Sequence, residues 1–340
     1  MPCPHCEATS AFDGSTINIF PPQAHTRGKL NKALRLTGMT DLTVSGDCMT
    51  FTVANHADLA LQLEDSLTEP EQRDTRILVT HGEPITAAHI ASVLTAEAYI
   101  VCVKGAWLED VLKERRLNFA FQPILNGDRR VYGHEALVRA QHRDGSPISP
   151  AELFQAAGTP ALLATLDREA RLTAVSNVPA MPPETYMFIN FMPSTIYDPV
   201  YCLQSTDKTA REHGIDPSQI IFEVVESDKI QDAQHLKRII EFYRHSGYRV
   251  ALDDFGTGHN NLHAMLEYTP DFVKVDKAIT QRLAEDSISR GMVRDLIRQS
   301  EAQKTQVIIE GIETETDFTV CRDLGAHFYQ GFYFAKPAPA

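Results

Sequence analysis

No apolar run in the 340 residues approaches the length that spans a bilayer. The opening stretch, MPCPHCEATSAFDG, has neither the basic nor the apolar region of a secretory signal, so the sequence reads as cytoplasmic, without membrane insertion. Positive charge is the scarcer sign: 32 Lys and Arg face 45 Asp and Glu, a net charge of −13. That argues against a general binder of nucleic-acid polymers or membrane surfaces, which needs basic clusters. A small anion is still admissible if metals or a few arginines act locally. Six cysteines at irregular spacing do not make a secreted disulfide framework. Internal repeats and low-complexity segments are absent.

What remains is a chain long enough for two domains. Residues 1–105 read as a small α+β unit. KLNKALRLTG is a short amphipathic helix ending at Gly38, and LTVSGDCMTFTV is a hairpin around Ser45-Gly46-Asp47. HADLALQLEDSL and ITAAHIASVLTAEA read as helices, RILVTH and YIVCV as strands. A connecting helix is expected over 106–117. From 118 to 340 the texture changes to short apolar runs alternating with amphipathic helices. Strands are expected at 119–125, 131–140, 186–191, 220–226, 249–255, 272–276, 306–311 and 328–334. Such alternation implies a parallel sheet covered by helices, either a closed barrel or a doubly wound sheet.

The polar residues at the strand ends decide between the two. In order they are Glu135, Asn190, Glu223, Asp253 with Asp254, Lys274, Glu310 and Gln330. In a (β/α)8 barrel such positions ring one mouth, whereas an open sheet would string them along an edge. The theme is a set of carboxylates with one carboxamide and one lysine. Oxygen donors without Cys or His suit hard cations, magnesium, manganese or calcium. Five carboxylates would repel one another unless cations neutralise them, and two divalent ions nearly do so. Paired metals serve phosphoryl chemistry by clamping the attacking and leaving oxygens, and a lysine among them stabilises charge or orients water. The residues alone therefore point to a two-metal phosphodiester hydrolase on a barrel. A lone strand-end carboxylate would more often be a solvated or capping group; the repetition carries the reading. One point resists it: Asp253 and Asp254 are adjacent, and strand alternation should send one of them toward the core, where an unpaired carboxylate is costly.

The segment Glu135-Ala136-Leu137-Val138-Arg139 resembles the signature of the EAL-domain family of cyclic di-GMP phosphodiesterases. FQPIL (121–125), FINFMP (188–193), FEVVES (222–227), ALDDFGTG (251–258), DFVKVD (271–276), IEGIET (309–314) and QGFYFAKP (330–337) stand in that family's order. The resemblance implies a TIM-like (β/α)8 barrel with an antiparallel first strand, and residues 1–105 then read as a small α+β accessory domain before it. It implies hydrolysis of cyclic di-GMP to linear pGpG with two Mg²⁺ or Mn²⁺ ions. Carried over by position, Glu135, Asn190, Glu223 and Asp253 hold one metal. Asp253 bridges to a second, held also by Asp254 and Glu310. Lys274 engages the attacking water, with Glu310 and Glu135 beside it in the catalytic set. Arg139 contacts a phosphate; Gln122, Leu137 and Gln330 line the substrate pocket; Asp167 falls near a guanine base. Glu226 steadies the loop after the paired aspartates, and the family implies a homodimer. His259-Asn260-Asn261 depart from the family's residues after DDFGTG, which bears on control of that loop and on dimerisation. A cyclic di-GMP receptor without turnover is the rival reading, and such proteins typically lose metal ligands or the lysine, which this sequence retains.

The N-terminal third carries no comparable pattern and no cyclase-type motif. Cys3-Pro4-His5-Cys6 can be a thiol pair or half of a zinc site completed by His25 or Cys48, beside the plainer reading of incidental cysteines in a chain end. Trp107 is expected to pack at the junction. His142, His213 and His235 are expected to be solvated.

Overall fold

β1 (Thr16–Phe20), TINIF, is the centre of the first sheet, and its alternation sends Ile17 and Ile19 into the core. After α1 (Ala24–Leu36), the expected hairpin is β2 (Thr43–Ser45) and β3 (Cys48–Thr52), turned by Gly46 with φ +62°. α2 (His56–Ser66), capped by the Asn55 side chain, α3 (Glu69–Asp74), β4 (Arg76–Thr80) and β5 (Leu94–Thr95) follow. The five strands form one antiparallel sheet in the order β2-β3-β1-β4-β5. The computed structural model describes residues 16–36, 41–178, 184–224, 233–256 and 262–339.

Two expectations for this unit fail. YIVCV is not a strand but the body of α4 (Ala96–Lys104). The Thr95 hydroxyl caps that helix by accepting from the Ala98 N–H at 3.0 Å, and Ala96, Tyr99 and Ile100 bury one face. Their i, i+3, i+4 spacing outweighed the β-branched composition that suggested a strand. The helix expected over ITAAHIASVLTAEA is only a 3₁₀ turn at Ala87–Ser92 followed by β5. α5 (Trp107–Lys113) supplies the connecting helix, and Trp107 packs edge-on against His142 at 5.3 Å.

β6 (Leu117–Asn126) and β7 (Val131–Gln141) form an antiparallel hairpin. The following β8 (Pro147–Ile148) and α6 (Pro150–Gln155) lie in the stretch 141–166, which groups with residues 16–116 as one compact unit; Leu117–Ala140 and 167–339 make the other. Next come α7 (Pro160–Ser176), β9 (Tyr186–Phe191), α8 (Pro199–Glu212), β10 (Ile220–Val224), α9 (Ala233–His245), β11 (Arg249–Phe255), α10 (Leu262–Tyr268) and β12 (Phe272–Val275). α11 (Lys277–Thr280), α12 (Ser287–Gln303), β13 (Gln306–Ile309), α13 (Glu315–Asp323) and β14 (Phe328–Tyr329) complete the chain. Seven strands, β7 and β9 to β14, run parallel, and β6 closes the ring by pairing antiparallel with both β7 and β14. This is the TIM-like barrel with an antiparallel first strand.

The barrel separates two apolar layers. Outward side chains such as Phe222, Val250, Val273 and Ile309 meet helix residues such as Leu236, Ile239, Ile240 and Tyr243 of α9. Those four recur at i, i+3, i+4 and i+7, one stripe of an amphipathic helix. Inside, Ile124, Phe188, Ile221, Ala251, Phe272, Ile308 and Phe328 form a separate plug. Gly133 takes the corresponding place on β7, where a Cβ would stand 2.5 Å from the Tyr186 carbonyl oxygen. Among the described residues no helix is long and apolar enough to cross a membrane.

Candidate active site

The plug fixes where the polar residues go. Two positions beyond each plug residue, on the same inward face, lie Asn190, Glu223, Asp253, Lys274, Glu310 and Gln330. Glu135 stands two beyond Gly133, and Gln122 two before Ile124 on the reversed strand β6. One layer of side chains thus floors the barrel, and the next is the chemistry.

Lys274 is the hub. Its Nζ lies 2.7 Å from Glu310, 3.0 Å from Glu223, 3.2 Å from Asp253 and 3.4 Å from Glu135. Lys274 and Glu223 are fully buried, while the Asp253 and Glu310 side chains keep 15% and 18% of their surface, so the cluster opens at that side. Burial alone would lower the lysine pKa, but Asp253, Glu135, Glu223 and Glu310 raise it well above its usual value. Burial drives Glu223 well above the ordinary carboxyl range against the pull of Lys274, and raises Asp253 in the same way. Glu310 is pushed up to about 8, by burial first. Burial also works to raise Glu135, but Lys274 and the amides of Gln330 and Asn190 outweigh it and hold this carboxyl low.

Amides fix the orientation of Glu135. Asn190 Nδ2 donates to one of its oxygens at 3.1 Å, and Gln330 Nε2 to the other at 2.7 Å. Gln330 Nε2 also donates to Gln122 Oε1 at 3.2 Å, and Gln122 Nε2 to the Ala335 carbonyl at 3.2 Å. Leu137 and Arg139 share Glu135's face of β7, both half-buried, and the Arg139 guanidinium donates to the Val138 carbonyl at 2.8 Å.

The adjacent aspartates are accommodated by a break in the strand. The pairing of β11 with β12 shifts register between Leu252 and Phe255, and Asp254 takes a left-handed φ of +52°. This bulge cancels the alternation, so both carboxylates reach the same mouth. The Asp254 N–H donates to Asp253 Oδ1 at 3.0 Å.

Two carboxylate triplets result: Glu135, Glu223 and Asp253, and Asp253, Asp254 and Glu310, each with ligand oxygens within 4.8 Å of one another. Asp253 belongs to both. Five carboxylates face one ammonium, leaving an excess of negative charge that two divalent cations would offset. Glu223 Oε2 is buried without a hydrogen-bond partner among the described residues, a lone-pair donor left for a cation. The donor set and this orphaned atom fit hard divalent ions.

Asp167 stands apart from this cluster. It is buried; one carboxylate oxygen accepts from the Met192 N–H at 3.0 Å, the other from Arg171 Nε at 3.1 Å and the Thr195 hydroxyl at 2.9 Å. It thereby ties down the turn that follows Asn190. Sequence reading missed Arg171, although its i, i+4 spacing from Asp167 was a usable signal. His235 is hydrogen-bonded rather than solvated, Nε2 to the Ile196 carbonyl at 2.6 Å. Cys48 is a free thiol 3.6 Å from the Thr50 hydroxyl. Glu226, His259-Asn260-Asn261 and Cys3 to Cys6 lie outside the described residues.

The EAL domain family model matches residues 106–337. The chain belongs to the EAL domain family. Residues 1–105 fall outside the match. The EAL region is 27% identical over 240 residues to a probable cyclic di-GMP phosphodiesterase, PdeB of Escherichia coli, covering 68% of this chain and 45% of PdeB. The chain thus spans less than half the length of that relative. Among solved structures, a standalone versatile EAL protein from Vibrio cholerae O395 in its c-di-GMP-bound form is 26% identical. It covers 65% of this chain and 92% of its own, with a TM-score of 0.56. The PaMucR phosphodiesterase in complex with c-di-GMP is 25% identical, covering 68% and 96%, with a TM-score of 0.60.

Proposed function

We propose that this EAL protein is a cyclic di-GMP phosphodiesterase that opens its substrate to linear pGpG with two divalent cations, Mg²⁺ or Mn²⁺. The observation that carries the reading is the pair of carboxylate triplets sharing Asp253 around Lys274. Glu135, Asn190, Glu223 and Asp253 would hold one ion, and Asp253, Asp254 and Glu310 the other. Bound there, the ions would acidify a water and offset charge on the phosphate oxygens.

This chain's residues supply the remainder. Lys274, held rigidly by four carboxylates, directs N–H bonds toward the water that attacks phosphorus. Glu310 lies 2.7 Å from the lysine, so the two flank the place the attacking water would take. The new bond joins the water oxygen to phosphorus; the P–O3′ bond breaks, and the ribose O3′ takes the proton the water gives up. Arg139 offers a planar donor pair to a phosphate. Gln122, Gln330 and Leu137 bound the pocket, while Asp167 acts through the Asn190 turn it anchors. The same reading places the protein in the cytoplasm, as a homodimer, with the N-terminal unit modulating turnover.

The test is incubation of the purified protein with cyclic di-GMP and Mg²⁺ or Mn²⁺, with chromatography for pGpG. Binding of cyclic di-GMP without turnover would overturn the enzyme and leave a receptor. Turnover of cyclic GMP in preference to cyclic di-GMP would overturn the substrate.

A further inference from the structure

The second triplet is built from strands that do not touch. Asp253 and Asp254 come from β11 and Glu310 directly follows β13, with β12 between the two strands. Something must set the gap that a second cation spans. β12 ends just past Lys274 and passes directly into the one-turn helix α11. The Asp276 carboxylate starts that turn by accepting from the Ala278 N–H at 2.7 Å.

α11 meets both neighbours at a glycine. Gly256, two residues past Asp254, has φ +97°, and a Cβ there would lie 2.2 Å from Ile279 Cδ1. Gly311, next to Glu310, has φ +67°, and a Cβ there would lie 2.3 Å from Lys277 Cβ. Both turns adopt a conformation that favours glycine and press their bare Cα against α11. Backbone bonds reinforce the seat: the Glu310 N–H donates to the Val275 carbonyl at 3.1 Å. Ile279 is also anchored from behind, packed against the core beneath the helices. The width of α11, through Ile279 on one side and Lys277 on the other, therefore sets the spacing of the two carboxylate arms.

We propose that Ile279 is a positioning residue for the second cation pocket, wedging the Gly256 turn so that Asp254 stands at the correct distance from Glu310. The inference rests on the two-cation reading above. It is distinct from ligation, since Ile279 offers no donor atom. Its signature is selectivity: the pocket of Glu135, Glu223 and Asp253 does not use the Gly256–Gly311 gap.

The experiment is Mn²⁺ titration of the full-length protein, read by electron paramagnetic resonance as free ion and as the coupled signal of a close Mn²⁺ pair. Wild type should take two ions per chain with a coupled signal. Ile279→Ala should keep the affinity for the first ion, weaken the second about tenfold and lose the coupled signal. Ile279→Val, which removes only Cδ1, should show a smaller loss in the same direction and keeps the fold in case alanine does not. Unchanged second-ion affinity in Ile279→Val and Ile279→Ala, or equal weakening of both ions, would overturn the role of Ile279. A wild-type chain taking fewer than two ions would overturn the two-cation reading, and this assignment with it.

Discussion

Replacing Lys274 by Met tests what holds the ion-free barrel mouth together. The substitution keeps most of the side-chain volume and removes one charge surrounded by four carboxylates at 2.7 to 3.4 Å. At an effective dielectric near 20, each contact is worth roughly 5 kcal/mol of gross attraction. Desolvation of the buried ammonium and carboxylates offsets most of that. Removing one partner of a buried ion cluster typically costs about 3–5 kcal/mol. For a unit of this size that lowers the melting temperature by roughly 6–20 °C. The assay is thermal denaturation by circular dichroism, first in EDTA and then in saturating Mn²⁺. In EDTA the variant should melt well below wild type. In Mn²⁺ the deficit should shrink, because the cations take over the compensation that Lys274 supplies. Mn²⁺ should still bind, while turnover of cyclic di-GMP falls by about 100-fold or more. Equal melting temperatures in EDTA, or a deficit that Mn²⁺ leaves untouched, would refute the argument. Near-normal turnover would refute the catalytic role.

Asp253→Asn should lose both Mn²⁺ ions, since both triplets share that carboxylate, whereas Asp254→Gly should lose only the second. Asp254→Gly also relieves the left-handed φ of +52°, so in EDTA it should be more stable than wild type by about 1 kcal/mol, read from urea denaturation. Asp167→Ala leaves Arg171 buried without its carboxylate and should cost about 3–5 kcal/mol in the same measurement; Asp167→Asn, which keeps an acceptor for the Met192 N–H, should cost less. In the N-terminal unit, the Lys29 contact, followed by the Thr68 backbone N–H, depresses Glu71 from 4.5 to about 2. A depressed carboxyl stabilises the fold above its unfolded pKa and loses that contribution as pH falls from about 4.5 toward 2. Glu71→Gln should thus flatten the acid limb of hydrogen exchange in α3 and cost about 1–2 kcal/mol near neutrality.

Much of the barrel was legible because inward and outward positions obey different rules. Along Phe188-Ile189-Asn190 or Ile221-Phe222-Glu223, one residue faces the helices, and the inward pair steps from apolar to polar. Six strands, β9 to β14, repeating that step announce one ring of functional groups, and the EAL motifs name the same residues. Elements with no such repetition were harder. β1 was passed over and YIVCV was misread because composition outweighed spacing, although Ala96, Tyr99 and Ile100 carried a helical stripe. Asp167 reads alone as a pocket residue; only the fold brings Met192 and Thr195 onto its carboxylate. α11 escaped notice because four residues hold no periodicity, and its importance lies in which glycines it touches.

The paired aspartates show how a local rule is broken where the chemistry requires it. Strict alternation would turn Asp254 outward, toward the layer that holds Val250 and Leu252 among the helices, where a carboxylate has no compensation. A glycine could take the left-handed angle without strain but brings no ligand. An aspartate is among the few side chains that tolerate that conformation, because its short polar group bonds locally. The chain therefore accepts strain at Asp254 in order to set two oxygen ligands side by side, and then closes the strand with Gly256, where the left-handed angle is free of cost and the bare backbone fits against Ile279. Strain, bulge and glycine turn follow from one requirement, that a single strand serve two cation pockets at once.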